Sequence, residues 1–172
     1  MTAPAASSEL LILAFGPDAR PEGELGGALE RIALRDRAAL RDALCVARDR
    51  DDGTVRAIDL AVARHGGGVA DLVDFRLDPR RRAALTARTL TPRPGGVAPD
   101  VVRGIAAGLE PGAAVVAVLL AAGGDGGAEI GAAAARCGGR PVALERIGDH
   151  ELAGLGARLT ELASAPARSR TP

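Results

Sequence analysis

Residues 10–48 read LLILAFGPDARPEGELGGALERIALRDRAALRDALCVAR, and this stretch decides the fold. Its first six residues, Leu10–Phe15, are an unbroken apolar run of strand length, which suits a strand buried on both faces. Gly16 and Pro17 end the run. Leu25, Leu29, Ile32 and Ala33 then recur at helical spacing, so residues 22–35 are expected to form an amphipathic helix. Glu22 and Glu24 suit the positive end of its dipole. Residues 43–48 close the block as a second strand.

The same plan recurs further along. Ala113–Leu120 (AAVVAVLL) is a second buried strand, GGDGG a loop, 127–137 a helix, and Pro141–Ile147 an alternating strand. Between the blocks, DRDDG at 49–53 is a turn and 54–63 alternates, which predicts a β-hairpin. Residues 65–99 read as an irregular, Arg-rich insertion with short helical pieces near 69–75 and 80–88. A helix over 100–109 follows, and Asp149 can cap a last one over 150–162. The expected order is β-α-β-β-α-β-α-β-α, whose first six elements follow the ferredoxin-like order. The expected fold is therefore α+β: a ferredoxin-like antiparallel sheet with helices on one face, extended by an extra strand–helix–strand unit. One domain spans 9–163, with a disordered lead at 1–8 and a flexible tail at 164–172.

Composition narrows function more than it identifies it. The 172 residues carry a formal net charge of 0, which gives no reason to expect a nucleic-acid or anionic-membrane partner. Every basic residue other than the two histidines is Arg, and Lys, Asn, Gln, Tyr and Trp are absent. That bias fits a high-GC bacterial genome. Phe15 and Phe75 are the only aromatics, so base or sugar stacking has little to work with. Cys45 and Cys137 lie in apolar segments and read as buried thiols. The start, MTAPAASSE, lacks the basic and apolar regions of a signal peptide. The longest apolar run, Ala113–Ala122, falls short of the ~20 residues that span a bilayer. The expected location is the cytoplasm.

Five groups of residues could carry chemistry. His65–Gly68 (HGGG) has the look of an esterase oxyanion loop, but no G-x-S-x-G accompanies it, and Ser occurs only at 7, 8, 164 and 169. Gly123–Gly127 (GGDGG) could present backbone N–H groups to an anion, yet it lacks the Lys-Ser/Thr of a P-loop, and Asp125 would repel phosphate. His65, His150, Cys45 and Cys137 show no metal-ligand spacing. Arg80–Arg82, with Arg88, Arg93 and Arg103, reads as a solvated face or partner contact. Glu145 sits among apolar residues and reads as a carboxylate at a sheet edge. No catalytic, cofactor-binding or metal-binding residue is assigned.

The stretches ELLILAFGPDARPEGELGGALERI, VARDRDDGTVRAIDLA, DVVRGIAAGLEPGAAVVAVLL and RCGGRPVALERIGDHELAGL resemble a family of small proteins of high-GC bacteria known as a domain of unknown function. The resemblance spans most of residues 9–157 and implies the ferredoxin-like fold without an activity. Members often place a bulky aromatic and an acidic residue after the LL of the fourth strand, where this chain has AAGGDGG. Some carry a glycine-rich, membrane-like insertion, where this chain has the charged HGGGVADLVDFRLDPRRRAAL. The expected function is a non-enzymatic interaction or regulatory protein that forms a homo-oligomer. The alternative is a small-ligand binder or cofactor-free enzyme with a pocket between sheet and helices, lined by Arg or Glu145. A weaker third reading is peripheral membrane association through 69–90.

Overall fold

A computed structural model describes residues 7–60, 69, 78–94 and 96–148. In chain order the elements are β1 (Ser7–Phe15), α1 (Glu24–Arg35), β2 (Leu40–Arg48), β3 (Val55–Asp59), α2 (Pro79–Thr89), α3 (Pro99–Ala107), β4 (Ala114–Ala121), α4 (Gly126–Arg136) and β5 (Gly139–Gly148). The class is α+β, as the sequence predicts. Ser7 and Ser8, expected in the lead, belong to β1. Apart from Val69, the helical piece at 69–75 lies outside the described residues, as do the helix at 150–162, 61–63 of the hairpin strand and the tail.

Each element follows from local chemistry. Leu25, Ala28, Leu29 and Ile32 bury one stripe of α1. The Asp78 side chain caps α2 by accepting from the Arg80 N–H at 2.6 Å, and Pro79 follows where a helix does not need an N–H. The β2–β3 turn is held by Asp49, whose Oδ1 accepts from the Asp51 N–H at 2.8 Å. Gly53 completes that turn at φ 67°, in the left-handed region.

The five strands run in the order β3-β2-β4-β1-β5, with every neighbouring pair antiparallel. This corrects the expected topology. Had the first six predicted elements formed the ferredoxin-like sheet, the hairpin strand would lie between the first two strands. Instead β4 fills that place, and β3 is an outer strand. The reason is burial. AVVAVLLA in β4 is apolar on both faces and belongs at the centre, whereas β3 is short and carries Arg56 and Asp59. The two strand–helix–strand blocks therefore interlock: β1 and β2 straddle β4, and β4 and β5 straddle β1.

Both faces of the sheet carry a core. Leu11, Leu13 and Phe15 of β1 and Val116, Val118 and Leu120 of β4 pack with Leu25, Leu29 and Ile32 of α1 and Ile130 and Ala134 of α4. On the other face, Leu10, Leu44, Val46 and Leu119 pack with Val102 and Ala106 of α3. The helices thus cover both faces, not the single face expected. Each fully buried Leu contributes ~1.5–3 kcal/mol, so two cores sharing one sheet make up for the shortage of aromatics.

Candidate functional site

The ends of β1 and β2 and the start of β4 meet at one end of the sheet, where a cleft of about 240 Å³ opens. Phe15, Pro17 and Pro21 give it an apolar side, and its polar side mixes Arg20, Arg48, Arg50 and Arg56 with Glu22, Asp49 and Asp51. A second concavity of about 290 Å³ shares Phe15, Gly16 and Pro17 and reaches Leu109 and Arg140. The Gly16–Pro17 bend that ends the first strand therefore also separates the two hollows.

The arginines of the cleft are held in place. Arg48 donates through Nε to the Gly53 carbonyl at 3.3 Å and through Nη1 to the Leu109 carbonyl at 3.1 Å. It thereby ties the hairpin turn to the segment entering β4. Arg50 pairs with Asp18 at 3.1 Å. Arg56 pairs with the buried Asp49, and partial burial pushes its guanidinium pKa down, with the Arg82 charge adding to the effect. Arg20 donates to the Ala19 carbonyl at 3.0 Å. A guanidinium neither gives up its proton nor attacks, so these arginines are suited to holding a polar group, with Glu22, Asp49 and Asp51 offsetting much of their charge.

The residues singled out in the sequence end up dispersed. The GGDGG loop leads into α4, where acidic side chains occupy the positive end of the helix. Asp125 pairs with Arg35 at 3.4 Å, and Glu129 with Arg31 at 3.0 Å and also with Arg35. Cys45 is buried in β2, and burial pushes its thiol up to about 12. Burial also raises the Cys137 thiol, which donates to the Ala133 carbonyl at 3.2 Å. His65 and His150 lie outside the described residues. Among the described residues no group of three His, Cys, Asp or Glu could hold a metal ion. Glu145 sits on the outer strand β5, half-buried and opposite Leu10.

The arginine cluster divides. Arg80 and Arg81 are exposed on α2, and Arg103 pairs with Asp100 one turn away at 3.1 Å. Arg93 instead turns inward to Asp59, which is only 3% exposed. Sequence reasoning missed this buried ion pair, having taken 54–63 only as an alternating hairpin strand. The available signal was an Asp, a poor strand former, next to the apolar Ile58 and Leu60.

Among the described residues no helix is long and apolar enough to cross a membrane. Compared with known proteins, the chain matches no family model, no curated protein and no solved structure.

Proposed function

We propose that the protein is a non-enzymatic interaction or regulatory protein that self-associates through the β5 edge of its sheet, in the cytoplasm and without nucleic acid. One observation carries this reading. β5 ends the sheet, and it carries Val142 at 55% and Leu144 at 64% exposure, two of the three large apolar side chains that stand out among the described residues. Apolar residues on an outer strand favour pairing with another chain. Pro141, which lacks an N–H, and the register shift opposite Ile12/Leu13 restrict where a second strand can bond. Such restriction favours one defined partner register over open aggregation.

Sedimentation velocity over a wide concentration range tests the proposal. The expected result is a dimer that the double substitution Val142→Lys, Leu144→Lys turns into a folded monomer. A wild-type chain that stays monomeric at several hundred micromolar would overturn it.

A second reading, small-ligand binding, draws on the arginine-lined cleft. A carboxylate or phosphate compound that raises the melting temperature of the wild type but not of Arg50→Ala would support it. The four strands β2-β4-β1-β5, with α1 and α4 on one face, support reading the architecture as a ferredoxin-like sheet widened by β3. Kinship with the high-GC bacterial family rests on the sequence resemblance.

A further inference from the structure

β5 pairs with β1 through a β-bulge. Gly139, Arg140 and Pro141 lie opposite Phe15, Ala14 and Leu13. Val142 is the extra residue, and beyond it Ala143, Leu144, Glu145 and Arg146 lie opposite Ile12, Leu11, Leu10 and Glu9. Cross-strand partners share a face of the sheet. Leu11, Leu13 and Phe15 belong to the core under α1 and α4, and Leu10 belongs to the core under α3. Gly139, Pro141, Leu144 and Arg146 therefore lie on the α1/α4 side of β5, and Arg140, Ala143 and Glu145 on the α3 side. The bulge reverses the alternation midway along the strand.

That reversal limits how a second copy can add to the edge. Two identical chains meeting through one edge are related by a two-fold axis, so where one residue faces another the reverse contact also forms. The two β5 strands then run antiparallel, and each pair must share a face. Arg140 opposite Glu145 of the second copy meets both conditions. The same register sets Pro141 opposite Leu144 and Gly139 opposite Arg146, with the axis between Val142 and Ala143. A slip of one residue sets Arg140 against Leu144 or Arg146, which lie on the other face. A register centred on Leu144 sets Glu145 against Ala143 and forgoes the opposite-charge pair.

The chemistry of the strand favours the same choice. Opposite charges meet twice, once on each side of the axis. Glu145 already interacts within its own chain, and a carboxylate can accept from a second donor. Pro141 has no N–H, so its pairing with Leu144 fits a non-hydrogen-bonded position, where side chains come closest. Leu144 is thereby covered, and Val142 of each copy flanks the axis. These are the two exposed apolar side chains of the edge.

We propose that the partner of β5 is β5 of a second copy, antiparallel and centred on the bulge, with Arg140 of each chain against Glu145 of the other. The proposal rests on the self-association reading above and names its register.

Sedimentation of charge-swapped variants tests it. Arg140→Glu alone and Glu145→Arg alone should each weaken the dimer by about tenfold, since like charges then face each other at two symmetric positions. The double swap should return it to within about threefold of wild type. Oxidative cross-linking is a second measurement that keeps both charges. A mixture of Pro141→Cys and Leu144→Cys proteins should form a disulfide-linked dimer, and neither protein should do so alone. A wild type that stays monomeric overturns self-association and the register together. A wild-type dimer whose double swap is no better than the single ones overturns the register alone, as does cross-linking of Leu144→Cys to itself.

Discussion

At the scale of single residues, the contact between Phe15 and Gly139 shows how register fixes identity. The two are cross-strand partners, and the Phe15 ring lies over the glycine so closely that an added Cβ would come within 2.3 Å of it. Gly139→Ala should therefore cost ~1–3 kcal/mol, the usual range for overpacking, as measured by urea unfolding. Phe15→Leu in the same background should recover part of the loss by removing the obstructing ring. The sequence made Phe15 legible as the end of a buried strand. It hid the role of Gly139, which falls between the expected helix at 127–137 and strand at 141–147, because that role exists only once β5 lies beside β1. The same holds for Asp59, whose partner Arg93 comes from beyond a helix.

At the scale of elements, α1 and α4 lie antiparallel across one face of the sheet. Arg31 and Arg35, near the C-terminal end of α1, meet Asp125 and Glu129 at the start of α4, and Arg136 meets Glu24 at 2.9 Å at the other end. Charge pairing and helix dipoles therefore favour the same arrangement. The Arg35 and Arg31 hydrogen bonds hold the Glu129 carboxyl below its ordinary value of 4.5. A lowered folded value gives stability that is present above the unfolded value and lost as pH falls through the folded one. Glu129→Gln should thus be modestly less stable than wild type at pH 7, and the gap should close well below pH 4.5. Parallel urea titrations at the two pH values measure this, and a gap independent of pH would refute the argument. These helices were legible because apolar spacing and terminal charges are local signals. α2 was visible only as a short helical piece, since Thr86 and Thr89, whose hydroxyls accept from the Ala57 and Asp59 N–H groups, signify nothing until a strand edge lies opposite them.

At the scale of the whole molecule, the blocks seen in the sequence are not separable units. β1 and β2 do not touch as a pair, because β4 lies between them. A fragment of residues 1–112 should therefore lack a cooperative thermal transition, keeping at most a β2–β3 hairpin, which is marginal alone. Adding a fragment of 113–172 should restore the transition, as followed by circular dichroism. A sigmoidal melt of 1–112 alone would contradict the interlocked topology. The sequence revealed the repeat but not the interlock. Both arrangements need the same apolar runs and differ only in which strand takes the middle position.

The interlock also sets a timetable for the chain as it is made. Ribosomes add ~5–20 residues per second, so the apolar LLILAF segment emerges several seconds before Ala114–Ala121 exists to pair with it. During that wait the nascent chain presents its stickiest strand with neither sheet neighbour yet synthesised. Its yield in a cell therefore depends on how well holding chaperones occupy that one segment, and slowing translation without adding chaperone should drive the protein into aggregates.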